Sequence, residues 1–213
     1  MKGAIFDKDG TLFDSEKYYT EGWYVMAERM GFEVTQAFID AIWGRSGQDQ
    51  IDRIHAMKPE IDAYAYWKGY TDYAIEKMRE TLELKPGVIE ILEYLKTRGI
   101  PCAIASGGST SLIRENLEKA GLTAYFSGIA SAVEVPHSKP HPDVFYEACR
   151  QLKLSPEDCI VFEDSTNGIL GACAAGCKAV LIPETDTIDP CLEGKCEVFK
   201  DFFEVIEWLK TQE

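Results

Sequence analysis

Two aspartates one residue apart, Asp7 and Asp9, close an apolar run in the stretch AIFDKDGTLFDSE. On a strand, residues two apart point the same way, so both carboxylates face one side. Neighbouring carboxylates repel, and one takes up a proton unless a cation sits between them. Mg²⁺ is the simplest cation that keeps both usable. A calcium loop starting at Asp7 is excluded by spacing. Its sixth and twelfth positions require Gly and Glu, and the chain has Leu12 and Tyr18 there.

Three further stretches carry chemistry of the same kind. In AIASGGST, an apolar run meets Ser106, then Gly107 and Gly108, then a helical pattern. A hydroxyl, free backbone N–H groups and a helix N-terminus together make an anion cradle. In HSKPHPDVF, Lys139 stands among turn-forming residues and is held by Pro140. A lysine fixed in a turn can neutralise a phosphate. In CIVFEDSTNGI, another buried run ends in Glu163 and Asp164, with Ser165 before a further helix.

These residues need a scaffold that brings strand ends together. Short apolar runs at 3–6, 102–105, 128–131, 159–162 and 179–182 predict strands buried on both faces, as in a parallel sheet. Helical patterns at 87–97, 110–120, 142–152, 167–175 and 201–210 alternate with them, the α/β signature. Pro86, just before the first of these helices, and Pro142, near the start of the third, fit helix starts. Residues 15–83 break the alternation with helical patterns at 17–30, 35–42, 47–57 and 62–82. The expected architecture is a Rossmann-like parallel sheet core with helices on both faces, formed by 1–14 and 84–213. An all-helical cap, 15–83, is inserted after the first strand. The aromatic stripe Tyr64, Tyr66, Trp67, Tyr70, Tyr73 in the last cap helix reads as helix packing.

Composition bounds the rest. The chain has 213 residues, 46% of them hydrophobic, and a formal net charge of −14. That acidity disfavours a nucleic-acid partner, so an anionic ligand needs a small local basic site. No apolar run approaches the length of a membrane span, and no signal peptide is evident. The seven cysteines are scattered and odd in number, which reads as reduced thiols of a cytoplasmic protein. The pairs Cys173/Cys177 and Cys191/Cys196 do not have the usual zinc spacing.

In this order, each at a predicted strand end, the four stretches resemble the four motifs of the haloacid dehalogenase superfamily, with a close match to its β-phosphoglucomutase-like phosphatase subgroup. DKDGT fits the most specific of those motifs, and the likeness spans essentially the whole chain. The resemblance implies a Mg²⁺-dependent phosphatase of small phosphorylated metabolites, sugar phosphates among them, or alternatively a hexose-phosphate mutase. It implies Asp7 as the nucleophile that becomes an aspartyl-phosphate, and Asp9 as general acid and base whose carbonyl also binds metal. Ser106 would hold a phosphoryl oxygen, and Lys139 would balance charge and orient Asp7. Gly10, Thr11, Gly107 and Gly108 would line the transferring group. Asp164, with Glu163 in support, would complete the Mg²⁺ ligands alongside Asp7 and Asp9. Arg45, in WGRSGQDQ, matches a cap-loop Arg that grips the distal end of the substrate, and the cap would close over the site to exclude water. The subgroup's mutases carry a His shortly after the first motif. Tyr19 occupies that place here, which favours hydrolysis over mutase chemistry. A catalytically silent binding module would lack Asp7, Asp9, Lys139 or Asp164, and all four are present. The expected assembly is a monomer or weak homodimer.

Overall fold

The computed structural model describes residues 1–43, 45, 47–185 and 187–212. The chain runs β1 (Gly3–Phe6), α1 (Glu16–Met30), α2 (Gln36–Ile42), α3 (Gly47–Met57), α4 (Ala63–Glu80) and α5 (Val88–Thr97). Then follow β2 (Cys102–Ser106), α6 (Thr110–Lys119), β3 (Phe126–Ser131), α7 (Asp143–Leu152) and β4 (Cys159–Glu163). α8 (Thr166–Ala175), β5 (Lys178–Leu181), β6 (Glu197–Val198) and α9 (Phe202–Lys210) complete it.

The strands form a parallel sheet in the order β3-β2-β1-β4-β5-β6. β1 is central because all four of its residues are buried, so neither face can meet water. The chain builds outward from β1 on one side through β2 and β3. It then returns to build the other side through β4, β5 and β6. β1 is therefore the switch point of the topology, and ligands of open α/β sheets bind at the carboxyl end there.

Alternate residues divide the core. Ile5, Ala103 and Val161 pack with Phe145 and Ala148 of α7 and with Ile169 and Ala172 of α8. On the opposite face Phe6, Phe162 and Phe202 of α9 form a ring cluster with centroids 4.8–5.8 Å apart. Side chains start the helices where the sequence offers a cap. Ser109 accepts from Leu112 N, Ser165 from Gly168 N, and Asp201 from Phe203 N and Glu204 N.

The chain divides into two compact units, Met1–Asp14 with Glu83–Glu213, and Ser15–Leu82. The second unit is helical and has its own core, in which Trp23, Phe38, Ile42, Ile54, Tyr66 and Tyr70 are buried. Its aromatic stripe is split. Tyr66 and Tyr70 lie in that core and Tyr66 Oη donates to Trp23 O, whereas Tyr64 is exposed. Gln50 ties three helices together, donating to Ile42 O and accepting from Trp67 Nε1.

The structure differs from the sequence expectations at element ends. β6 was not expected; it has two exposed residues and no apolar pattern to betray it. Pro86 lies just before α5, ahead of its Gly87 cap, as expected, and Pro142 stands at the start of α7 as its cap residue rather than in its first turn. Gly87 has a φ of 82°, a left-handed conformation that glycine adopts without strain.

Candidate active site

The site follows from the strand ends. Asp7 continues the line of β1, its N–H donating to Phe162 O at 2.9 Å. The chain then turns sharply. The carbonyl of Lys8 accepts from the N–H groups of both Leu12 and Phe13, and Gly10 N donates to Phe13 O. Gly10 sits at the crux of this turn with a φ of 76°. A Cβ there would lie 2.1 Å from Asp164 Oδ2, so a glycine is needed for backbone and carboxylate to approach. The Thr11 hydroxyl, fully buried, donates to Asp164 Oδ1 at 3.3 Å. The turn after β1 and the end of β4 are thus locked to each other.

Lys139 reaches the same place from the segment before α7. Its Nζ donates to Asp7 Oδ1 and Glu163 Oε1, each at 2.5 Å, and to Ala105 O at 3.0 Å. An ammonium has three protons, and these three acceptors use them all. Glu163 is fully buried and committed on both oxygens. Oε2 accepts from Ser165 Oγ, Ser165 N and Asp164 N. Gly168 makes this possible, since a Cβ there would stand about 2 Å from the Glu163 carboxylate.

Ser106, at the end of β2, is buried, and its Oγ accepts from Gly108 N at 3.2 Å. The loop is braced from the neighbouring strand. Ser131 Oγ donates to Gly108 O at 2.7 Å, and Ala132 N donates to Ser106 O. Sequence reasoning missed Ser131. Its one signal is a hydroxyl at the end of an otherwise apolar strand.

The electrostatics are those of crowded acids. Burial pushes the Asp7 carboxyl up, to about 7, and the charges of Glu163 and Asp9 add to it, while Lys139 pulls the other way. Burial would lower the Lys139 ammonium, but Asp7 and Glu163 outweigh it and hold Lys139 above the usual lysine range. Asp9 pairs with the Lys8 ammonium, and Asp7 and Glu163 share that of Lys139. The donors are oxygens, the set a hard divalent cation prefers, and a cation would relieve the strain that raises Asp7. Among the described residues no three His, Cys, Asp or Glu side chains close into a metal cage. Mg²⁺ does not require one, because it keeps several waters and takes one or two carboxylates.

The expected residues Asp7, Asp9, Gly10, Thr11, Ser106, Gly107, Gly108, Lys139, Glu163 and Asp164 all lie at or beside the carboxyl ends of β1, β2 and β4. Arg45 belongs to the helical unit, where Nη1 pairs with Asp49 Oδ2 at 2.8 Å. Its neighbours Gly44 and Ser46 in WGRSGQDQ lie outside the described residues. Tyr19 packs against the apolar clusters of the same unit. All seven cysteines are free thiols, and no helix among the described residues is long and apolar enough to cross a membrane.

The site thus joins paired acids at the switch point of a doubly wound sheet, a lysine on one of them and a serine–glycine loop beside it. Comparison with known proteins gives the family. The family model of haloacid dehalogenase-like hydrolases matches residues 1–176. Hexitol phosphatase A of Escherichia coli is 33% identical over 183 residues, covering 85% of this chain and 82% of that protein. A phosphorylated carbohydrates phosphatase of Thermotoga maritima is 30% identical, covering 84% of each chain. A putative β-phosphoglucomutase structure, also from Thermotoga maritima, superposes with a TM-score of 0.77 at 27% identity over 99% of both chains. The chain belongs to the haloacid dehalogenase-like hydrolases.

Proposed function

We propose that the protein is a Mg²⁺-dependent phosphatase of small phosphorylated metabolites, sugar phosphates foremost, acting through an aspartyl-phosphate on Asp7. The observation that carries this reading is the single lysine, Lys139, that binds the first aspartate of the motif and the Glu163 carboxylate together. It fixes Asp7 Oδ1, so Oδ2 is the oxygen we assign to attack phosphorus. Asp9 gives a proton to the leaving oxygen in the first half-reaction and takes one from water in the second. We assign Ser106 Oγ, which Gly108 N–H holds in place, and the backbone N–H of Gly107 to receive phosphoryl oxygens. Glu163 serves here by holding Lys139, since both its oxygens are committed.

The carboxylates of Asp7 and Asp164 and the carbonyl of Asp9 are the groups we assign to Mg²⁺. When bound it supplies charge neutralisation at the transferring phosphoryl group. The relatives named hexitol phosphatase and phosphorylated carbohydrates phosphatase support a sugar-phosphate substrate. Arg45 in the helical unit is our candidate contact for the substrate's distal end, where its guanidinium would exchange Asp49 for substrate oxygens. The resemblance to a putative β-phosphoglucomutase keeps a hexose-phosphate mutase as the second reading. Tyr19 in the position of the mutases' His favours hydrolysis.

The deciding experiment is phosphate release from a panel of hexitol, sugar and small-metabolite phosphates, with Mg²⁺ and with EDTA, beside conversion of β-glucose 1-phosphate to glucose 6-phosphate. Release that needs Mg²⁺, without isomerisation, is the expected result. Efficient isomerisation with little release would reverse the assignment. Asp7→Asn should lower turnover by about 10³-fold or more while the protein still folds. Near-normal turnover by that variant would remove Asp7 as nucleophile.

A further inference from the structure

Lys8 stands between the two aspartates and has no role in the phosphatase reaction proposed above. Its side chain is fully buried. Nζ lies 2.9 Å from Asp9 Oδ1 as an ion pair, yet it makes no hydrogen bond to any described group. Its stem packs on the loop after β2, with Cε 3.9 Å from where a Cβ of Gly108 would be.

Lysine is almost never fully buried without a partner. Withdrawing an ammonium from water costs free energy that one ion pair seldom returns, and replacing such a pair as a whole by apolar side chains is often neutral or stabilising. Stability therefore gives little reason for a lysine here. With no exposed surface, Nζ has no open path to a substrate, so any effect on the reaction passes through Asp9. An apolar residue could fill the space under Gly108, but it could not hold a carboxylate.

We propose that Lys8 is a positioning residue for Asp9. It fixes the Asp9 carboxylate by Oδ1 and so turns Oδ2 toward the leaving group. In the transfer step the bond from phosphorus to the leaving oxygen breaks as the bond to Asp7 Oδ2 forms, and the proton on Asp9 Oδ2 passes to the leaving oxygen. In the second step water attacks phosphorus, Asp7 departs, and the proton from water returns to Asp9. Each catalytic aspartate then has its own lysine, Lys139 for Asp7 and Lys8 for Asp9. This inference rests on the acid–base role given to Asp9 above.

The test compares kcat/KM, which covers steps only through departure of the leaving group. Wild type, Lys8→Met, Asp9→Asn and the double variant are assayed on the best sugar phosphate of the panel and on para-nitrophenyl phosphate, whose leaving group needs no proton. Lys8→Met should lose roughly tenfold to a hundredfold on the sugar phosphate and distinctly less on the aryl phosphate. It should cost nothing further in the Asp9→Asn background. Lys8→Gln carries the same comparison if the Met variant does not fold. Equal losses on the two substrates, no loss on either, or an added loss on top of Asp9→Asn each overturn the positioning role and leave the phosphatase reading standing. Wild-type activity in Asp9→Asn overturns the role of Asp9 itself.

Discussion

Asp7 is pulled two ways. Its neighbours Glu163 and Asp9 and its burial favour the protonated acid, while Lys139 favours the carboxylate, and the balance lies at about 7. Between the ordinary value of 3.8 and about 7, the folded metal-free chain holds a proton that the unfolded chain has released. Raising the pH through that window therefore weakens the metal-free fold. A divalent cation on Asp7 displaces the same proton. Mg²⁺ affinity should consequently rise with pH, by up to about tenfold per unit below neutrality, and level off above about 7. Titration calorimetry in two buffers of different ionisation enthalpy checks this. Close to one proton should be released per Mg²⁺ at mildly acidic pH and few at alkaline pH. Asp7→Asn should abolish the difference between the buffers.

At the scale of elements, β4 and α8 act as one device. Glu163 ends the strand, Ser165 caps the helix and binds Glu163, and Gly168 in the first helical turn leaves room for the carboxylate. Gly168→Ala keeps helix propensity but drives a methyl into Glu163. It should cost about 1–3 kcal/mol by overpacking and reduce turnover, because a displaced Glu163 releases Lys139. Urea denaturation beside steady-state kinetics checks both effects; normal stability together with normal turnover would show that Glu163 does not hold the site. The same pair of elements shows what a sequence reveals. CIVFEDS announces a buried strand that ends in acids, and the strand is where that pattern expects it. Placing Asp7, Ser106 and Asp164 at strand ends was equally legible, because period and punctuation are local. The partners of Glu163 were not. Its neighbour in sequence, Asp164, meets Thr11, 153 residues away, while Glu163 meets Lys139. Only the order of the strands decides such pairings. Lys8 was visible in DKDGT, but nothing in the sequence says that its side chain is buried. β6 stayed hidden because an edge strand of two exposed residues has no apolar alternation to read.

At the scale of the molecule, the two units differ in how the chain serves them. The helical unit, Ser15–Leu82, is a single insertion, whereas the sheet unit is assembled from both sides of it. The two ends of the insertion are already joined within the sheet unit. Asp14 N donates to Glu83 O at 3.0 Å, and Phe13 and Leu84 form an antiparallel bridge. Replacing Ser15–Leu82 by a short Gly-Asn turn therefore asks the chain only to close a hairpin that the sheet unit already forms. The buried cluster around Ile5, Phe145 and Ile169 lies wholly outside the insertion, so the shortened protein should fold cooperatively. The acids, Lys139 and Ser106 all remain in it. If the helical unit selects the substrate, the shortened protein should still release phosphate from para-nitrophenyl phosphate with Mg²⁺. It should lose its ranking among sugar phosphates, each then cleaved within about tenfold of the others, since a lost contact typically changes selectivity by 1–3 kcal/mol. Wild-type selectivity without the insertion would place specificity in the sheet unit and remove Arg45 from the substrate site. Retained folding with no aryl phosphatase activity would mean that residues 15–82 contribute to the chemistry itself.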